Sequence, residues 1–94
     1  MSRILIIGEH DGLRLNQSTA RCVACAFAID PSGIEIVILG SDTSAVAGEA
    51  ATLIGVAGVL TVTRPANSPA LAAVLAPQIA TLAAGYDYVL APST

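Results

Sequence analysis

The sequence predicts an α/β fold, a doubly wound parallel sheet in three αβα layers that is left incomplete. Short runs rich in branched apolar residues recur along the chain. Each is apolar on both faces, which is typical of strands buried within a parallel sheet. Stretches with helical periodicity separate these runs. The predicted order of elements is therefore βαβαβαβ, with strands at residues 4–7, 34–39, 59–62 and 88–90.

The order of the strands in the sheet follows from the handedness of their connections. Crossovers between parallel strands are almost always right-handed, and a doubly wound arrangement then gives the order 3-2-1-4. In that order the first two helices cover one face of the sheet and the third covers the other. The fourth strand is left as an unpaired edge. We therefore expect this chain to be the opening part of a larger domain.

The first predicted helix spans residues 17–29. Asn16 or Ser18 can cap its N-terminus, and the segment Asp30-Pro31-Ser32-Gly33 ends it. Apolar residues follow the i, i+3, i+4, i+7 spacing of a buried helix face. The residues predicted to form that face are Ala20, Val23, Ala24 and Phe27.

The second predicted helix has Ser41 or Ser44 as its N-cap and runs through Leu53 toward Gly55, which fits a C-terminal stop. Ala45, Val46 and Ala50 lie along it.

The third predicted helix begins after Ser68, a cap residue followed by proline at the first turn. Gly85 ends it, and Pro77 is expected to kink or divide it. Its predicted buried stripe consists of Leu71, Val74, Leu75, Ile79 and Leu82.

The composition excludes several classes of protein. The mean hydropathy of +0.75 is high, but the longest unbroken apolar run, residues 22–29, is far below the roughly 18 to 20 residues that cross a bilayer. A net charge of −3 argues against a nucleic-acid partner, and the absence of lysine excludes Schiff-base and P-loop chemistry. The apolar N-terminal run is too short for a secretory signal, so we expect a bacterial cytoplasmic protein.

Candidate chemistry lies where the predicted sheet changes strand order. Ligands of open α/β sheets bind beyond the carboxyl ends of the strands, where the strand order reverses. In this chain the loops at residues 8–15 and 91–94 would form that position. The first loop carries Glu9, His10 and Asp11, with Gly12 supplying backbone freedom. Two interpretations remain open: a ligand site, or a solvated or interface loop of structural importance only.

Other motifs favour structural interpretations. Cys22 and Cys25 form a C-x-x-C inside the first helix, where we expect small buried packing residues rather than a reactive thiolate. The single histidine cannot form a zinc site without further ligands, and no nucleophile elbow occurs. Gly8 and Gly12 lack the third glycine of a dinucleotide fingerprint. We predict no catalytic, cofactor-binding or metal-ligating residue in this chain.

Several segments together resemble the electron transfer flavoprotein alpha subunit. The start of the chain reads Ile4-Leu5-Ile6-Ile7-Gly8-Glu9-His10-Asp11-Gly12, followed by Leu15-Asn16. Further along, the resembling segments are Gly40-Ser41-Asp42, Gly55-Val56-Ala57-Gly58-Val59-Leu60 and Tyr86-Asp87-Tyr88-Val89-Leu90-Ala91-Pro92-Ser93-Thr94. The resemblance covers essentially the whole chain. Cys22 and Cys25 depart from it, since small residues are usual there, as does the absence of lysine.

The resemblance implies an electron carrier rather than an enzyme. Members of the family are alpha–beta heterodimers that contain FAD. They accept electrons from flavin dehydrogenases, typically the acyl-CoA dehydrogenases of fatty acid oxidation, and pass them through a membrane quinone reductase toward the respiratory chain. Residues 1–94 would be part of the alpha subunit's N-terminal domain, a scaffold packed against the beta subunit. The FAD-binding C-terminal domain would lie outside them.

One alternative remains from a different class of protein. A free-standing adenine-nucleotide-binding module, similar to stress-protein α/β domains, could use the Gly8 to Gly12 loop together with Ser41 and Asp42. A glycine-rich phosphate loop after the fourth strand would favour that alternative.

Overall fold

The computed structural model describes residues 3–67 and 72–91. Strands and helices alternate as predicted, and the predicted strands end within one residue of the observed ones. The elements are β1 Ile4–Ile7, α1 Gln17–Ile29, β2 Ile34–Gly40, α2 Ser44–Ala51, β3 Gly58–Thr63, a 3-10 turn Pro65–Asn67, α3 Ala72–Ala83 and β4 Tyr88–Leu90.

The described strands form one parallel sheet in the order β3-β2-β1-β4, which confirms the predicted topology. β1 lies between β2 and β4, with Ile4 opposite both Ile34 and Tyr88. Because the side chains of a strand alternate between faces, Ile4 and Ile6 point to one face and Leu5 to the other. All three are fully buried, so β1 is the centre of the core.

Two hydrophobic clusters lie on opposite faces of the sheet, as the doubly wound fold requires. The first contains residues of α1 and α2 packed on Ile4, Ile6 and Ile36. The second contains Leu5 and Val37 with residues of α3. The prediction that the first two helices share one face and the third covers the other is confirmed.

α1 has the predicted bounds, and Asn16 is its N-cap: the Asn16 side chain accepts a hydrogen bond from the Ser18 N–H at 2.9 Å. The predicted buried face is wrong in part. The buried residues of α1 are Thr19, Val23 and Ala26. Ala20, Ala24 and Phe27 are exposed, because that side of α1 faces the end of α2 rather than the sheet.

α2 is shorter than predicted, and neither Ser41 nor Ser44 is its N-cap. The N-cap is Thr43, which makes no side-chain capping bond because its hydroxyl is hydrogen-bonded to the Thr63 hydroxyl at 2.8 Å. The helix ends at Ala51, and Gly55 lies beyond it with a positive φ of 96°.

α3 is a single helix with Pro77 inside it, so the predicted division at this residue is not found. Leu75, Ile79 and Leu82 pack on the second cluster as predicted. The predicted cap Ser68 and the first stripe residue Leu71 lie outside the described residues. None of the helices among the described residues is long and apolar enough to span a membrane.

Arg3 connects several elements at the amino ends of the strands. Its guanidinium pairs with Glu35 at 3.1 Å, lies 4.5 Å from the centroid of the Tyr86 ring and donates to the Gly85 carbonyl at 2.9 Å. These contacts join β1, β2 and the turn after α3. Because the ion pair is solvent-exposed, its contribution to stability is small.

Candidate functional site

The predicted ligand position is the loop after β1, at the carboxyl ends of the strands. A cleft of about 190 Å³ opens there between the sheet and α3. That volume is below the roughly 300 Å³ at which small-molecule pockets begin. The residues that line the cleft are Ile7, Gly8, Glu9, His10, Leu39, Leu75 and Ala91.

The β1 loop is closed on itself as a small hairpin. His10 and Leu15 form an isolated antiparallel bridge. At the base of the hairpin, the Asn16 N–H donates to the Glu9 carbonyl at 2.7 Å. Gly12 turns the chain with a φ of 95°, a conformation that glycine adopts without strain. The loop therefore has a defined shape of its own.

His10 is held by hydrogen bonds at both ring nitrogens. Nε2 lies 2.8 Å from the Leu39 carbonyl, and Nδ1 accepts from the Gly12 N–H at 3.0 Å. A carbonyl can only accept and a backbone N–H can only donate, so these contacts fit the tautomer with the ring proton on Nε2. The ring also packs against Gly40, where an added Cβ would lie 3.2 Å from Cε1. Neither nitrogen is left over to bind a metal ion or to move a proton.

Asp11 supports the turn of the same hairpin. Its Oδ1 accepts from the N–H groups of Leu13 and Arg14 at 2.9 and 2.8 Å. These hydrogen bonds favour the charged carboxylate and hold the pKa of Asp11 below its usual value of 3.8. The carboxylate acts locally on its own loop and is exposed to solvent.

The sequence does not reveal the two residues that anchor this loop to the helices. The Glu9 N–H donates to the hydroxyl of buried Thr19 on α1 at 3.0 Å. The Leu15 N–H donates to Glu49 Oε1 on α2 at 2.7 Å. Glu9, His10 and Asp11 are adjacent in sequence, but these contacts do not bring their side chains together as one reactive group.

Cys22 and Cys25 lie within α1, as predicted, and both are free thiols. Cys22 packs against the first hydrophobic cluster and is half-buried, whereas Cys25 is exposed. The prediction that both are buried is therefore wrong for Cys25. Burial, with a smaller effect of the neighbouring Cys25, raises the pKa of Cys22, so this thiol is not activated as a nucleophile.

An apolar groove lies between α1 and the end of α2. Its volume is about 350 Å³, and Ile54 at its margin is 94% exposed, while Phe27 is 49% exposed. The Phe27 ring packs against Gly55, where an added Cβ would lie 2.9 Å from the ring. The residues that line the groove are Ala20, Val23, Ala24, Phe27, Leu53 and Ile54.

The β1 loop does not fit a diphosphate-containing cofactor such as FAD. A diphosphate is bound by free backbone N–H groups or basic side chains. In this loop the N–H groups of Gly8, Glu9, Asp11 and Gly12 are engaged in hydrogen bonds within the chain. Within residues 3–67 and 72–91, no three or more His, Cys, Asp or Glu residues are grouped to hold a metal ion.

Comparisons with known proteins agree with the resemblance in the sequence. A family model for the electron transfer flavoprotein domain matches residues 4–94. The electron transfer flavoprotein subunit alpha of Pseudomonas aeruginosa is 40% identical over 91 residues, which cover 97% of this chain and 29% of that relative. The chain therefore spans under a third of the length of the relative it matches. Because the family model covers nearly the whole chain, the chain belongs to the electron transfer flavoprotein family, and its sequence is similar to that of an alpha subunit.

Proposed function

We propose that this chain is a scaffold and subunit-interface segment of an FAD-containing electron carrier. The observation that carries the proposal is the family match over residues 4–94. The closed β1 loop supports a scaffold role, because its polar groups are used to hold the loop against α1 and α2. The exposed apolar groove supports an interface role, since such surfaces on soluble proteins often contact another protein.

The FAD of the complete protein would be bound outside residues 1–94, which would be part of the alpha subunit's N-terminal domain. Two features support this assignment. The N–H groups of Gly8, Glu9, Asp11 and Gly12 are engaged within the chain, and the cleft of about 190 Å³ is too small for a dinucleotide. The same features weaken the alternative of a free-standing adenine-nucleotide-binding module.

The complete protein would pair with a beta subunit in the bacterial cytoplasm. It would accept electrons from flavin dehydrogenases such as the acyl-CoA dehydrogenases of fatty acid oxidation. A membrane quinone reductase would then take them toward the respiratory chain. The resemblance of the β1 and β4 segments to alpha subunits supports these partners. The protein would act as an electron carrier rather than as an enzyme with its own substrate.

The test is the visible absorption spectrum of the complete gene product, purified with any subunit that accompanies it. We expect oxidised flavin bands that are lost when a flavin dehydrogenase and its substrate are added. Bands that persist with every dehydrogenase and substrate tried would contradict the proposed donors. A colourless protein that takes up no FAD but binds adenine nucleotides would contradict the electron-carrier function itself.

A further inference from the structure

Cys22 and Cys25 form a pair of thiols on one side of α1. Residues three apart in a helix are neighbours on its surface, with Cβ atoms about 5–6 Å apart. Cys22 is half-buried against the first hydrophobic cluster, and Cys25 is exposed one turn further along. The pair therefore lies at the boundary between core and solvent, with the Cys22 thiol partly covered and the Cys25 thiol open to water.

This geometry disfavours a disulfide between the two cysteines. A disulfide requires Cβ atoms about 3.5–4.5 Å apart, closer than a regular helix holds them at this spacing. Closing the bond would require α1 to unwind locally. That change would disturb two buried residues of α1: Val23, which lies between the cysteines in sequence, and Ala26, which directly follows Cys25. The pair is thus held in proximity without being joined.

We propose that Cys22 and Cys25 form a two-sulfur binding site for a soft monovalent metal ion of the Cu(I) class. An ion placed between two sulfurs spans a wider gap than a direct sulfur–sulfur bond. Thiolates are the protein ligands that select Cu(I). On binding, two metal–sulfur bonds form and the two S–H protons are released to solvent, while the oxidation state of the metal does not change. This proposal does not depend on the proposed electron-carrier function.

The test is a titration of the complete, reduced protein with Cu(I) under anaerobic conditions, in competition with the chromogenic chelator bathocuproine disulfonate. The wild type is compared with Cys25→Ser and with the double variant Ala24→Cys/Cys25→Ser. The double variant keeps two thiols but places them two residues apart, where they do not face each other. Cys25 and Ala24 are both exposed, so neither change disturbs the core, and circular dichroism verifies the fold.

We expect the wild type to retain one more Cu(I) per chain than either variant. Its affinity at this site should be at least about 100-fold higher, because the second thiol binds the ion from the same helix. Equal retention by the wild type and Cys25→Ser would overturn the site. Full retention by the double variant would overturn it as well. Dimers that the wild type forms only when Cu(I) is added would also overturn it, since the ion would then bridge two molecules.

Discussion

Gly8 has the least room of the residues that position the β1 loop. An added Cβ would lie 2.5 Å from Ile38 Cδ1 and 3.2 Å from both Ile36 Cγ2 and the Val37 carbonyl. Ile36, Val37 and Ile38 are fully buried residues of β2, so they have little freedom to move. The loop can leave β1 at this angle only because residue 8 has no side chain.

Gly8→Ala is therefore expected to destabilise the protein by about 1–3 kcal/mol, the usual range for overpacking a core. Gly48→Ala is a matched control. No atom lies within 4 Å of an added Cβ at Gly48, which is an exposed position of α2, and alanine there should stabilise by about 0.5–1 kcal/mol. The midpoint of urea unfolding measures both changes. An unchanged midpoint for Gly8→Ala would contradict the close approach of β2 to residue 8.

Asp11 should make the stability of the loop depend on pH. Its folded pKa is lowered by the N–H groups of Arg14 and Leu13, so its contribution is present at neutral pH and is lost as the pH falls through that folded value, below 3.8. Asp11→Asn retains an acceptor oxygen but cannot titrate. We expect the urea midpoint of this variant to fall less than that of the wild type between pH 5 and pH 3. If the urea midpoints of the two proteins fall equally with pH, the Asp11 carboxylate does not contribute to the pH dependence of stability.

The residue patterns predicted which segment forms the loop, but not what its side chains do. Glu9, His10 and Asp11 stand out because they are adjacent and titratable. Asp11 bonds within its own loop. The partners that join Glu9 and His10 to the rest of the fold come from distant positions: Thr19 for the Glu9 backbone N–H and the Leu39 carbonyl for the His10 ring. Such pairings depend on how α1 and β2 pack against the loop, and no local spacing encodes them.

At the scale of elements, α1 shows why a hydrophobic pattern alone can select the wrong face. The apolar residues Ala20, Ala24 and Phe27 are regularly spaced, yet the face buried on the sheet contains Thr19 and half-buried Cys22. Thr19 is tolerated in the core because its hydroxyl bonds to the β1 loop. The bounds of α1 were predictable because Asn16 and Asp30 act locally, whereas its orientation depends on contacts across the fold.

Pro77 provides a test of how α3 is stabilised. Proline lacks the N–H that would donate to the carbonyl of Ala73, and inside a helix it costs about 3 kcal/mol. Pro77 is exposed, so Pro77→Ala should restore the bond without changing the core. We expect a stabilisation of about 1–3 kcal/mol in urea unfolding.

The neighbouring substitution Ala76→Gly is the control for the sensitivity of α3. Ala76 is also exposed, and glycine there should destabilise the helix by about 1 kcal/mol. A lower unfolding midpoint for Pro77→Ala, alongside the expected loss for Ala76→Gly, would show that the rigidity of the proline matters more than the missing hydrogen bond.

At the scale of the whole molecule, the strand order was predictable because right-handed crossovers leave few arrangements for four parallel strands. The positions of β1 to β4 follow from runs such as Ile4 to Ile7, which are apolar on both faces. The exposed groove was not predicted. It arises because Phe27 on α1 packs against Gly55 after α2, two residues that only the assembled fold brings together.

This groove is the surface we expect to contact a partner subunit. Ile54 is 94% exposed at its margin, and leaving such a large apolar side chain in water brings no benefit to an isolated chain. Burial of apolar surface is the main favourable contribution to most protein–protein association. If the chain is an interface segment of an electron carrier, as proposed, Ile54 should be covered by the beta subunit in the assembled protein.

Ile54→Asp is then expected to weaken association of the two subunits by at least about tenfold, because the contact would bury an unpaired carboxylate against apolar surface. The stability of the isolated subunit should change by less than about 0.5 kcal/mol, since the side chain makes few contacts within the chain. Ala80→Asp on α3, exposed on the opposite face of the sheet, serves as the control for added charge. Analytical ultracentrifugation gives both dissociation constants. If Ile54→Asp and Ala80→Asp both associate as tightly as the wild type, the groove lies outside the subunit interface, and the family assignment is unaffected.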